Sequence, residues 1–394
     1  MKAGRVLGLL GAMMIHAACA QDPPSPVPSA MARLGSQLFS DPSLSASGRL
    51  SCASCHDPAN AFAAPRGSGV VMYGGPTLDR PGLRTVPSLR YLEHTPRFTR
   101  HYYVTTAREP EDRGPAGGFM HDGRADSLRE QVLLPLLDPA EMANADVVSV
   151  ATRLRAVAYF AEFQQLHGAG VLPTDAALVA AAAEAIERYE LEDPAFHPYS
   201  SRYDQFLAGR TALSAPELRG LRLFVDPAKG NCAECHPHQT GPGGRGPAFT
   251  DFSYHALGVP RNTAIPANAD RQYFDLGLCG PRRTDLAAER VYCGFFKTPS
   301  LRNVARRLFL FHNGRATTLA EAVRFYVERD RLPALWYPRT AGVAQGFNDL
   351  PAALRSNVDR SDAPLNWQRG QPPALSAAEI DDLVAFLQTL DDAD

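Results

Sequence analysis

The pattern Cys-x-x-Cys-His occurs twice, as Cys52-Ala53-Ser54-Cys55-His56 and as Cys232-Ala233-Glu234-Cys235-His236. No other feature constrains the chain as strongly. In such a unit each thiol adds across a haem vinyl group, and the adjacent imidazole swings under the ring to ligate iron. Two intervening residues place both sulfurs on one turn of helix. A thioredoxin-like CxxC does not need a His after each pair, and one shared structural zinc leaves both histidines unexplained. The chain is therefore expected to carry two covalently bound haem c groups. Cys52, Cys55, Cys232 and Cys235 are the anchors, and His56 and His236 the iron ligands.

The motifs lie 180 residues apart in a chain of 394, which suggests two haem domains rather than one small two-haem module. Helical signals flank each. Ahead of the first, Met31, Leu34, Leu38 and Phe39 recur at helical spacing over Ala30 to Phe39. Ahead of the second, Ser214 and Glu217 form a capping box leading into Leu218, Leu221, Leu223 and Phe224. An Ala-rich helix is expected over Thr174 to Leu191, broken by Asp193-Pro194. A last one runs from Ser376 to Leu390, with its own Ser-x-x-Glu cap. No strand pattern is convincing, and 33 Pro with 31 Gly imply long ordered connections. The fold is predicted to be mostly α, with long loops. A boundary near Gly209 separates residues 21–208 from 209–394.

Residues 1–20 read as an export signal: Lys2 and Arg5, an apolar run from Val6 to Ile15, then Ala18-Cys19-Ala20. The run is too short to span a bilayer, and no later stretch is apolar enough to do so. A periplasmic location is expected, with lipidation of Cys19 as the lesser alternative. A net charge of −2 gives no general case for nucleic acid. Of seven cysteines, the motifs and the signal use all but Cys279 and Cys293. In an oxidising compartment these are expected to form a disulfide.

The ordered residues of nearly the whole mature chain resemble the bacterial di-haem cytochrome c peroxidases and their MauG relatives. The matches include Leu34-Gly35 to Phe39, Ser51 to Pro58, Asp122-Gly123-Arg124, Glu130-Gln131, Pro135 and Glu141-Met142. They continue through Cys232 to His236, Phe296 to Asn303, His312-Asn313-Gly314 and Leu319 to Tyr326. The resemblance implies two cytochrome c-like domains, with a peroxidatic haem in the first and an electron-relaying haem in the second. By position, Glu141 matches the acid/base residue of the peroxidatic pocket and Gln131 its polar neighbour. Splitting a peroxide needs a proton moved from one oxygen to the other, which a placed carboxylate can do. Tyr326 stands where the peroxidases have a Met ligand to the second iron, as in MauG. Tyrosinate lowers an iron potential, whereas Met raises it. His312 and Arg302 match positions near the second haem, with propionate or structural hydrogen bonding expected of both.

Three departures matter. No His occurs between His56 and His94, although Met72 or Tyr73 lies in the stretch where a dissociable ligand is common, so an open first haem is expected. His121 replaces the Trp that commonly precedes Asp-Gly-Arg, and is expected to hydrogen-bond within the interdomain contact. The positions matching the calcium site are Thr85, Arg307 and Phe309, and a buried guanidinium beside Ca²⁺ is unfavourable. Calcium is thus left open. His94, His101, His197, His238 and His255 have no motif around them and are read mostly as loop or surface residues.

The leading expectation is an oxidoreductase that reduces hydrogen peroxide to water. Electrons would come from a small donor protein, a cytochrome c or a cupredoxin. The rivals are a MauG-like enzyme that uses peroxide to oxidise residues of a partner protein, and a non-enzymatic electron carrier.

Overall fold

Eleven helices and four small antiparallel ladders account for the regular structure in the computed structural model, which describes residues 27–105, 110–168, 172–241 and 246–393. The export signal and Cys19 lie outside the described residues. The helices are α1 (Ala30–Ser40), α2 (Cys52–Cys55), α3 (Leu128–Leu137), α4 (Val147–Ala156), α5 (Phe160–His167) and α6 (Asp175–Glu192). They continue as α7 (Arg202–Leu207), α8 (Ala215–Val225), α9 (Leu319–Glu328), α10 (Pro333–Trp336) and α11 (Ala377–Gln388). The long helices begin where their caps are written. Ser29 and Thr174 accept backbone N–H bonds at the starts of α1 and α6. Both Ser-x-x-Glu capping boxes form, at α8 and α11. The chain is mostly helical. Among the described residues no helix is long and apolar enough to cross a membrane.

The apolar side chains collect into two main cores. One runs from Leu34 to Phe196 and is built around Leu38, Phe39, Ile186, Tyr189 and Phe196. The other runs from Tyr203 to Leu390 and is built around Phe224, Phe249, Leu383 and Phe386. Each rests on a crossing of two helices at a glycine. A Cβ on Gly35 of α1 would lie 1.9 Å from the Ala185 carbonyl oxygen of α6, and one on Gly220 of α8 would lie 2.0 Å from that of Asp382 in α11. Only glycine permits so close an approach. In both halves the crossing sets the helix that leads into the Cys-x-x-Cys-His turn.

Loops between the helices are held by buried polar pairs. Arg302, almost fully buried, reaches Asp204 with two bonds of 2.8 and 2.9 Å and also donates to the Pro247 carbonyl. Burial would raise the Asp204 carboxyl, but Arg302 holds it below the usual carboxylate range. Asp204→Asn strands the guanidinium and is expected to cost about 3–5 kcal/mol, read as a lowered midpoint in denaturant unfolding. The C-terminal segment is fastened nearby, where the Asp392 carboxylate accepts from Tyr91, Asn303 and Arg90.

Cys279 and Cys293 are joined as a disulfide, as the sequence leads one to expect. It closes a loop of sequence separation 14. Replacing both cysteines by Ser is expected to lower stability by about 3 kcal/mol, while both haem-site turns stay intact. Thermal unfolding with and without reductant checks this.

Candidate active site

Two cavities open beside the two Cys-x-x-Cys-His turns. Cys52, Cys55 and His56 line the first, together with Gln131, Glu141, Met72 and Tyr73. Cys232, Cys235 and His236 line the second, with Tyr326, His255, His312 and Arg307. The four motif cysteines, His56, His236, Glu141, Gln131 and Tyr326 therefore each line one cavity or the other.

Each histidine is held by its backbone contacts in a form that suits a metal ligand. His56 Nδ1 lies 3.1 Å from the carbonyl oxygens of both Phe62 and Pro87, and His236 Nδ1 lies 2.8 Å from that of Phe249. Carbonyls only accept, so Nδ1 donates and Nε2 keeps its lone pair. Burial lowers His56 to about 4 and lowers His236 as well, which keeps both imidazoles neutral. The four thiols are not disulfide-bonded. Burial pushes Cys52, Cys55 and Cys232 up to about 12. Protonated thiols beside an apolar cavity and a free imidazole nitrogen suit covalent haem attachment at each site. They suit thiolate ligation of zinc poorly.

Glu141 is set by a turn rather than by a helix. After α3 the chain folds back, with Met142 N–H donating to the Pro135 carbonyl and the Asn144 amide donating to the carbonyls of Leu44 and Leu136. Gly75 N–H donates to the Glu141 carbonyl at 2.9 Å, and neighbouring Gly74 packs so closely on this turn that a Cβ there would lie 2.3 Å from the Ala140 oxygen. Burial, with repulsion from Asp138, raises the Glu141 carboxyl to about 7, against the pull of Arg282 and Arg124. Arg282 is itself paired with Asp138. A carboxyl held near neutrality both gives and takes a proton readily. Gln131, buried on α3, donates to the Met120 sulfur at 3.6 Å, so Met120 also belongs to this cavity.

Tyr326 lies on α9 and faces the cavity of His236. Burial raises its phenol, and the nearby Cys235 and Cys232 add to the shift. His312 stacks on Phe296 with centroids 3.5 Å apart, and its buried Nε2 has no partner. Arg307 Nε is likewise without one. Both leave a polar nitrogen open on the wall of the second cavity, a guanidinium donor at Arg307 and a ring nitrogen at His312. Arg302 is absent from that wall and spends its guanidinium on Asp204, so of its two expected roles it fills the structural one.

Thr85, Val86 and Pro87 line both cavities, as does His121. At one end of this short strap Pro87 holds His56. At the other, Thr85 N–H donates to the His312 carbonyl at 2.9 Å, and Thr85 O accepts from His121 Nε2 at 3.0 Å. His121 thus makes a hydrogen bond between the two sites. Two residues escaped the reading of the sequence. His255 pairs through the Tyr254–His255 and Phe296–Lys297 ladder and reaches 3.4 Å from Cys235 Sγ. Glu190 faces the first cavity from α6.

Known proteins resemble the chain in sequence and in fold. The family described as di-haem cytochrome c peroxidase matches residues 29–212. The methylamine utilization protein MauG of Paracoccus denitrificans is 36% identical over 388 residues, covering 97% of this chain and 93% of that protein. The cytochrome c551 peroxidase of Nitrosomonas europaea is 28% identical, covering 80% of each. Among solved structures, the diheme peroxidase BthA of Burkholderia thailandensis superposes with a TM-score of 0.82 at 40% identity, covering 93% of this chain and 87% of that one.

Proposed function

Since the chain belongs to the di-haem cytochrome c peroxidase and MauG family and is an oxidoreductase, we propose that it reduces hydrogen peroxide to water in the periplasm, at the site of Cys52, Cys55 and His56. The supporting observation is Glu141, a buried carboxyl poised near 7 on the wall of the cavity that His56 enters. In this reading Cys232, Cys235 and His236 hold a second haem c that receives electrons from a small donor, a cytochrome c or a cupredoxin. The two cores correspond to two haem domains, and the haems supply the redox iron that exchanges electrons with peroxide and donor. Cys19 is taken as part of a cleaved signal rather than a lipid anchor.

The protein's own part is proton handling. The reaction takes two electrons and two protons per peroxide and yields two waters. Glu141 accepts a proton from one peroxide oxygen and returns it to the other, so that the departing oxygen leaves as water. Gln131, fixed by its bond to Met120, offers its amide to orient the substrate. Arg124 and Arg282 oppose the rise of the Glu141 carboxyl and so keep a useful fraction ionised. Neither Met72 nor Tyr73 is taken as an iron ligand in this reading, so an iron held by His56 would remain open to peroxide. Resting oxidised protein is expected to give one high-spin haem signal by EPR. Two low-spin signals would remove the open site. A calcium ion near Thr85 and Phe309 would face the buried Arg307 guanidinium and is not part of this reading.

Tyr326 favours a second reading. If Tyr326 and His236 both held the second iron, a phenolate would favour its oxidised state, which suits a MauG-like enzyme that turns peroxide's oxidising power on the residues of a partner protein. Steady peroxide consumption matched by oxidation of reduced cytochrome c or cupredoxin supports the first reading. Slow consumption, indifferent to the donor and matched by oxidised side chains in a partner, supports the second. A non-enzymatic carrier would consume no peroxide at all.

A further inference from the structure

Glu141 is not the only acid on the wall of the first cavity. Glu190 lies in the last turn of α6, 5% exposed, with Oε2 lacking any hydrogen-bond partner. It continues the buried stripe of Leu178, Ala182 and Ile186, where an apolar residue would pack without cost. Its carboxyl lines the same cavity as the Cys52 thiol and, when ionised, repels the thiolate form of that sulfur. Burial, with repulsion from Glu187 one turn earlier, raises it to about 8.

The cations packed around α6 are committed elsewhere. Arg129 of α3 binds Glu187 and Glu184, and Arg155 of α4 binds Asp175. Arg153 of α4 reaches Asn144, and Arg33 of α1 reaches the Pro28 carbonyl. Glu130 of α3 accepts from the Asp126 N–H. From the Leu92–His94 turn, Glu93 and His94 bond to Tyr199. Glu141 acts on Cys52 from across the cavity. Arg84, Arg124 and Arg282 line the same cavity but pair with Asp122, Asp275 and Asp138, so among the described residues Glu190 has no ion-pair partner of its own.

A charge that appears inside a low-dielectric cavity is best balanced by an opposite charge appearing close to it. Resting on the haem reading above, we infer that Glu190 is a redox-linked proton site: it holds its proton while the first haem iron is reduced, and releases it when that iron loses an electron. One electron passes to the oxidant and one proton passes from the Glu190 carboxyl to solvent. Reduction by a donor reverses both. The group couples proton uptake to electron arrival at the site where peroxide reduction consumes both.

The test is spectroelectrochemical titration of the first haem over a pH range bracketing the Glu190 value of about 8, carried out in the Glu141→Gln background so that Glu141 contributes nothing. The midpoint potential is expected to fall as pH rises between the oxidised-state and reduced-state values of the carboxyl. The limiting slope is tenfold in equilibrium constant per pH unit, or about 59 mV for a one-electron couple. Adding Glu190→Gln is expected to flatten that segment and to remove a protonated carboxyl band from the oxidised-minus-reduced infrared difference spectrum. Glu190→Met, similar in volume, replaces it if the Gln variant loads haem poorly. An unchanged slope together with an unchanged carboxyl band overturns the inference. Failure of the underlying reading is seen separately, as wild-type protein with only one haem in its optical spectrum.

Discussion

Glu141→Gln is expected to slow peroxide reduction by about 10²–10⁴-fold while both haems remain attached. Gln fills the same space and keeps a polar group on the wall, but it can neither take nor return a proton. The pH profile gives a second signature. Burial raises the wild-type carboxyl to about 7, so the base form is lost as pH falls through that value. The rate constant for reaction with peroxide should decline below about pH 7, and in the Gln variant this acid limb should vanish. Stopped-flow mixing with peroxide at a series of pH values measures both effects. A variant that reacts at the wild-type rate would remove Glu141 from the mechanism.

Tyr326→Met should raise the potential of the second haem by a few tenths of a volt, on the order of the range over which axial ligands tune haem iron. The direction follows from chemistry. A phenolate donates charge and favours the oxidised metal, whereas a neutral thioether favours the reduced one. The same change decides between the two functional readings. If Tyr326 serves a MauG-like reaction, the variant should lose oxidation of partner residues and gain turnover with a reduced cytochrome c. A potential and optical spectrum identical to wild type would mean that Tyr326 is only a packed aromatic beside Phe325.

The legible parts of the molecule were those written locally. Ser214 with Glu217 and Ser376 with Glu379 announce their helices because a cap is a contact between residues three apart. The two Cys-x-x-Cys-His turns are legible because their pattern is complete within five consecutive residues. Glu141 was legible only through family likeness, since its position comes from a turn pinned by Leu44, Gly75 and Pro135. Glu190 hid among Glu187, Glu192 and Asp193, a run that looks solvated. Its helical phase, four residues after Ile186 and eight after Ala182, was the signal that it turns inward. The equivalence of the two helix crossings was hidden for a different reason. What they share is a glycine and the absence of a side chain, and one residue in each half leaves no repeat to detect. His255 depends on a two-residue ladder to a segment about 40 positions later, which no local pattern encodes.

The strap of Thr85, Val86 and Pro87 has one further implication. His56 receives part of its hydrogen bonding from Pro87, while Thr85, two residues away, is tied to His312 in the other half of the molecule. One short covalent segment therefore connects the junction with the group that holds the His56 imidazole. A movement of one half against the other would change how firmly Nδ1–H is held, and with it the electron-donating power of Nε2. The seam between the halves is thus also part of the wall of both cavities, and the contact that joins the halves lies two residues from the one that orients His56.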